Sequence, residues 1–216
     1  MRYWLARLLG HYYVWFEIFA GRLGLIDDFV GYDFLISKLR NEGITTKYGD
    51  FLEIGSFLGG GTKKLAKLAV EQERQVHVID VFNPNYDSTI NSDSISMAWI
   101  YSKILGSRNL FEEFSKRIKG FQNIIVHRGD SRIVDLRDAR FVFSFIDGGH
   151  SEEVVMHDFE TVWARTVSGG VVAFHDYGGD LPVVTNSLDV MLDKYNCEIK
   201  QQRIYTQQKI LWIQKQ

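Results

Sequence analysis

Apolar residues along this chain fall into two alternating rhythms. Short continuous apolar runs predict strands buried on both faces, and apolar positions three and four apart predict helices. Strands are expected at 50–55 (DFLEIG), 75–81 (QVHVIDV), within 122–131 (QNIIVHRGDS), within 139–150 (ARFVFSFIDGGH) and within 169–177 (GGVVAFHDY). Helices are expected at 28–41, where Phe29, Tyr32, Leu35, Ile36 and Leu39 share one stripe, and at 63–72, with Leu65, Leu68 and Ala69 inward and Thr62 as N-cap. Further helices are expected at 109–120, at 151–165 with Val154, Val155, Phe159 and Val162 on one face, and at 182–195. The segments 197–205 and 208–215 read as a closing hairpin.

Strands that alternate with helices require right-handed crossovers and a mostly parallel sheet covered on both faces. Five such strands plus an antiparallel hairpin give a seven-stranded, doubly wound, Rossmann-like α/β domain. Its expected extent is 46–216, preceded by an N-terminal helical extension over 1–45. Residues 83–107 are turn-rich at first and then helical around SMAWIYSKIL. They follow directly on the second strand and are the candidate substrate lid, with Asn83, Pro84, Tyr86, Asp87, Met97, Trp99 and Tyr101 available to cover a ligand. The bland reading of the helical part is a flank helix.

Composition narrows the class. The 216 residues are 45% apolar and 24% charged, enough for one folded core and too apolar for a disordered chain. A net charge of -2 supplies no field that would draw the chain to nucleic acid, so no such partner is expected. The single cysteine, Cys197, has no internal disulfide partner, which fits a reducing, cytoplasmic setting. Residues 1–26 are apolar and aromatic, but Arg2, Arg7, His11, Glu17 and Arg22 interrupt any run long enough to span a bilayer. That segment reads as a helix packed on the domain or on a second copy, with peripheral membrane contact as the alternative.

The candidate chemistry lies at the strand ends. Glu53, Asp80, Asp130, Asp147 and Asp176 each stand at or just past the end of one predicted strand. Open α/β sheets bind ligands there. Each acid alone has a capping role as its simpler explanation; five in register point to a site. The turn at 53–62 (EIGSFLGGGT) allows close backbone approach at Gly55 and leads into a helix N-terminus. It lacks the G-x-G-x-x-G dinucleotide fingerprint. An acid inside the first strand and another ending the second suit a ligand with a cationic centre and a ribose diol.

These stretches resemble the class I S-adenosylmethionine-dependent methyltransferases, and within them the small O-methyltransferases of the catechol and macrocin types. EIGSFLGGGT, VIDVF, HRGDS, FIDGGHSEE and GGVVAFHDY carry the resemblance, in family order from about residue 50 to 177. The first 45 residues match nothing in it. The resemblance implies S-adenosylmethionine as cofactor, with Glu53, Gly55, Ser56 and Gly59 around its methionine moiety. It implies Asp80 on the ribose, and Asp130 and Ser131 near the adenine. Asp147 and Asp176 match positions that bind a divalent metal in the metal-dependent members, and two carboxylates plus waters suit Mg²⁺. Catechol-type enzymes carry Asn after the second of these, where this chain has Tyr177, so metal dependence stays open.

The implied reaction moves a methyl group to a hydroxyl of a small molecule: a sugar, a polyol or a phenol. Asp147 and His150 are the candidate catalytic groups. His150 is a base, a metal ligand or a hydrogen bond that shapes the Gly-Gly turn. Strand alternation predicts that His175 points away from Asp176 and is structural. Two other readings compete: a cofactor-binding scaffold without activity, and a nucleotide-linked oxidoreductase, against which the missing fingerprint counts.

Overall fold

A computed structural model describes residues 15, 16, 18–23, 31–42, 44 and 48–216. Seven strands form one sheet in the order β3-β2-β1-β4-β5-β7-β6. They are β1 (Asp50–Ile54), β2 (Val76–Asp80), β3 (Ile124–Arg128), β4 (Phe141–Ile146), β5 (Thr166–Phe174), β6 (Ile199–Tyr205) and β7 (Ile210–Lys215). The first five pair in parallel, and β7 pairs antiparallel with both β5 and β6. This is the expected architecture, closing hairpin included. β4 is buried at every position, as the centre of a doubly covered sheet requires.

Two cores flank the sheet. One face carries α1 (Tyr32–Asn41), α2 (Gly60–Val70) and α4 (Leu110–Ile118), whose Leu35, Leu65 and Phe114 meet Phe51 and Phe143. The other carries α5 (Glu152–Arg165) and α6 (Pro182–Tyr195), whose Phe159 and Leu188 meet Leu52 and Val172. Strand alternation sends Phe51 to the first face and Leu52 to the second. α3 (Met97–Leu105) lies in the 83–107 segment.

Two boundaries differ from expectation. β5 begins at Thr166, directly after α5, rather than at residue 169. The strand absorbs its glycine pair as an irregularity: Gly169 has a positive φ, and the β4–β5 register shifts between Phe141 and Phe143. α2 begins behind Gly59, not Thr62. Gly59 takes the left-handed conformation that starts the helix early, so Thr62 lies inside it with its hydroxyl free for another partner.

In the N-terminal segment, the described residues 15, 16 and 18–22 are helical. Ile18 packs with Ile100 and Ile104 of α3, and Arg22 Nε donates to the Lys103 carbonyl at 2.6 Å. Trp15 meets Trp99 edge-on, while Phe16, Phe19 and Leu23 are exposed. Residues 1–14, the start of the expected 28–41 helix and the 45/46 boundary lie outside the described residues. No helix among the described residues is long and apolar enough to cross a membrane.

Candidate active site

The strand order reverses between β1 and β4, and a cleft opens at the carboxyl ends of the strands there. Open α/β sheets bind ligands at that point, where the loops from two neighbouring strands part to opposite faces. Gly55, Asp80, Tyr86, Tyr101, Ser131 and Asp147 are among the residues on its wall.

Gly55 fixes the floor. Its φ is +83°, and a Cβ there would stand 1.9 Å from the Asp147 carbonyl oxygen. The backbones leaving β1 and β4 therefore touch, with the Asp147 amide donating to the Ile54 carbonyl at 2.8 Å. Only glycine allows both the conformation and the contact.

Asp80 ties the loops around that floor. Its Oδ2 accepts from the Ser56 amide at 2.8 Å, the Phe57 amide at 3.0 Å and the Ser56 hydroxyl at 3.1 Å. Its Oδ1 accepts from the Phe82 amide at 2.6 Å. Phe57 and Phe82 both have positive φ, an unusual state for bulky residues, and their amides are held by this one carboxylate. Three donors crowd Oδ2 and one meets Oδ1, which keeps a second acceptor site. Burial pushes Asp80 above the ordinary carboxylate range, against these donors.

Glu53 departs from its expected place. It has no exposed surface and is not on the cleft wall. It points, like Phe51, toward the α1/α2 face. The Tyr32 hydroxyl donates to Oε1 and the Thr62 hydroxyl to Oε2. Burial raises its pKa from 4.5 to about 7, with Thr62 and Tyr32 opposing and the Asp80 and Asp147 charges adding. Ser56 and Gly59 are likewise absent from the wall: Ser56 serves Asp80, and Gly59 packs on Phe114.

Asp130 is engaged by Arg132 and Tyr86. Arg132 donates Nε to Oδ1 at 3.0 Å and Nη2 to Oδ2 at 2.7 Å, and the Tyr86 hydroxyl donates at 2.7 Å. The guanidinium holds Asp130 well below the ordinary carboxylate range. The next residue, Ser131, reaches the wall.

The remaining two strand-end acids converge. Asp147 and Asp176 enclose two imidazoles. His175 Nδ1 lies 3.1 Å from Asp147 Oδ1 and 3.3 Å from Asp176 Oδ2. His150 Nδ1 is paired with Asp87, and its Nε2 lies 3.1 Å from Asp176 Oδ2 and 3.9 Å from Asp147 Oδ1. Nε2 is buried and lacks a well-directed hydrogen bond.

The expectation for His175 is thus overturned. Alternation holds only within a strand, and β5 ends at Phe174. Asp176 turns back with φ +60°, so consecutive side chains face one centre. Tyr177 does not share it: its hydroxyl donates to Asp189 at 2.6 Å.

Burial pushes both imidazoles down, but the surrounding carboxylates outweigh it. His175 rises to about 10 and His150 well above its ordinary value. Burial pushes Asp147 and Asp176 up, and the imidazoles bring both below the ordinary range. Tyr101 of α3 stays a phenol, raised by burial and by the charges of Asp147, Asp87, Asp176 and Asp80. The 83–96 loop supplies Asp87, and α3 supplies Tyr101 to the wall. Trp99, on the opposite side of α3, meets Trp15 instead.

Asp147, His175 and Asp176 place three donor atoms within 4.8 Å of one another. Two ligands at about 2.1 Å and at right angles stand about 3.0 Å apart. The two His175 separations match that spacing, so the residues present fit a divalent cation.

A mostly parallel seven-stranded sheet closed by an antiparallel hairpin, with this cleft at its switch point, defines an α/β domain of the methyltransferase kind. The comparison of sequences agrees: the family described as Methyltransferase domain matches residues 52–177, and the chain belongs to it. No curated protein matches the chain. Among solved structures, the O-methyltransferase NovP is similar at 15% identity and TM-score 0.59, over 83% of this chain and 76% of that one. CalS11, a TDP-rhamnose 3'-O-methyltransferase of calicheamicin biosynthesis, is similar at 14% identity and TM-score 0.56, over 84% and 77%. TomG from Streptomyces achromogenes, an O-methyltransferase of tomaymycin synthesis solved with SAM, is similar at 16% identity and TM-score 0.55, over 84% and 80%. At these identities the likeness is one of fold.

Proposed function

We propose that this chain transfers the methyl group of S-adenosylmethionine to a hydroxyl of a small molecule. The observation that carries the reading is the convergence of His150, His175 and Asp176 on Asp147, which lies on the cleft wall beside the Gly55 turn. The acceptor is a sugar, polyol or phenol. Homologous fold alone does not choose among them.

Methyl transfer is a displacement in line with the carbon–sulfur bond. The acceptor oxygen forms a bond to the methyl carbon, the carbon–sulfur bond breaks, and the hydroxyl proton must leave. His150 supplies the base. Asp87 holds Nδ1, so Nε2 is the nitrogen that exchanges the proton; because the carboxylates raise its pKa, His150 acts as the base only after Nε2 has lost its proton to solvent. Asp147 and Asp176 orient the acceptor hydroxyl and would hold a divalent cation. Such a cation, when bound, lowers the pKa of the hydroxyl. Asp80 acts on the cofactor chiefly by fixing the Ser56–Phe57 and Phe82 turns, and Asn83 and Ser131 are the uncharged polar groups beside it on the wall.

The test is calorimetric titration with S-adenosylmethionine and S-adenosylhomocysteine, followed by a screen of hydroxyl acceptors. Asp147→Asn should bind S-adenosylhomocysteine but lose turnover. Folded wild-type protein that binds neither compound, with or without a divalent cation, refutes the proposal. Retained turnover in Asp147→Asn removes the assigned site. Binding without transfer to any hydroxyl favours a scaffold.

A further inference from the structure

We infer that this cleft takes a first-row transition ion such as Co²⁺ or Mn²⁺ in preference to Mg²⁺, with His175 Nδ1 as a nitrogen ligand between Asp147 and Asp176. The inference deepens the proposed function and rests on the same cleft, but it concerns which ion the residues select.

Backbone geometry puts the nitrogen there. The His175 amide donates to the Ile146 carbonyl at 3.0 Å, one step past the last β4–β5 pair. That bond sets His175 beside Asp147, the residue after Ile146. The positive φ of Asp176 then brings its carboxylate back beside its neighbour's ring. The result is one imidazole nitrogen 3.1 Å from one carboxylate oxygen and 3.3 Å from another. Both spacings suit adjacent ligands on one ion, as worked above.

The donor set decides the preference. Mg²⁺ is hard, takes oxygen and gives up its waters reluctantly. An imidazole nitrogen gains it little. Later first-row ions bind mixed nitrogen and oxygen sets more tightly, in the order Mn²⁺ below Fe²⁺ below Co²⁺. A site made only of carboxylates and water would follow the same order with a smaller spread. His150 is the other nearby nitrogen: its Nδ1 is held by Asp87, and its Nε2 stands 3.1 Å from Asp176 but 3.9 Å from Asp147, so it meets one carboxylate at ligand spacing and not both. It lies outside the three-donor set.

The experiment uses the full chain, stripped of metal with a chelator and then titrated with MgCl₂, MnCl₂ and CoCl₂. Pulsed electron paramagnetic resonance on the Mn²⁺-loaded protein reads ligand nitrogen directly through its hyperfine coupling. Co²⁺ should bind at least about tenfold more tightly than Mg²⁺. The Mn²⁺ spectrum should show imidazole nitrogen coupling. His175→Asp should abolish the coupling and bring the Co²⁺ and Mg²⁺ affinities closer together, whereas His150→Gln should keep the coupling. Equal or tighter Mg²⁺ binding by wild type overturns the inference. So does a wild-type Mn²⁺ spectrum without nitrogen coupling, a readout that needs no variant to fold. Coupling that survives His175→Asp, or vanishes in His150→Gln alone, overturns the assignment of the ligand. S-adenosylhomocysteine binding in the same preparation separates the two proposals. Cofactor binding without metal binding overturns this inference and leaves methyl transfer standing; folded protein that binds neither overturns both.

Discussion

Replacing Glu53 with glutamine should make the protein less sensitive to alkaline pH. Glu53 is wholly buried under Tyr32 and Thr62, and burial lifts its pKa from 4.5 to about 7. In the unfolded chain it returns to the ordinary value. Below pH 4.5 both states hold the proton, and the stabilising contribution of the neutral acid is complete. As pH rises from there through about 7, the unfolded chain releases its proton first, so stability falls; above that window the contribution is gone. The full interval corresponds to about 3 kcal/mol. From about pH 5.5 to about pH 8.5, the expected loss is about 2 kcal/mol.

Glutamine keeps the shape of the side chain and an acceptor for Tyr32, while Thr62 can accept from its amide. It has no proton to lose. Thermal melts of wild type and Glu53→Gln, followed by circular dichroism at both pH values, isolate the effect. Other groups that titrate in this window, His175 among them, act in both proteins and cancel in the difference. The variant's advantage in Tm should grow by about 4–8 °C between the two pH values for a protein of this size. An advantage that stays constant would mean that Glu53 is ionised throughout, and the reasoning from burial would fail. S-adenosylhomocysteine affinity supplies a second reading, because Glu53 has no surface in the cleft. A loss of more than about tenfold in the variant would restore direct contact with the cofactor.

Other changes test other links. Gly55→Ala should cost more than about 3 kcal/mol in urea unfolding, because it combines a positive φ with a Cβ driven into the Asp147 carbonyl; a loss below about 1 kcal/mol would show that the β1 and β4 ends separate easily. Asp87→Asn removes one of the carboxylates that raise His150, so the neutral base forms at lower pH and the rising limb of kcat against pH should move toward acid. An unmoved limb would take His150 out of the proton transfer. Tyr86→Phe deletes one hydrogen bond to Asp130 but leaves the Arg132 pair, so stability should fall by about 1 kcal/mol or less, read in the same urea assay.

Much of the fold is written in the apolar runs. The five parallel strands, the helices between them and the closing hairpin all follow from period and punctuation, since a doubly covered sheet needs continuous apolar strands. The convergence of Asp147, His150 and Asp176 also follows, because two adjacent strand ends must meet at one edge of the sheet. What escaped depends on partners distant in sequence or on one backbone angle. Glu53 shares its face with Phe51 by simple alternation, yet nothing local shows that Tyr32, 21 residues upstream, covers it. Asp87 meets His150 across 63 residues through a loop with no periodic pattern. Asp80 stands at the expected strand end, but it also holds turns whose positive φ values at Phe57 and Phe82 have no glycine to announce them. His175 is the sharpest case. The alternation rule applied one residue too far sends its ring away from Asp176, and the left-handed turn at Asp176 reverses that outcome. The same turn places a nitrogen, rather than a third oxygen, beside the two carboxylates. One unusual backbone angle therefore separates a structural histidine from a residue that selects the ion.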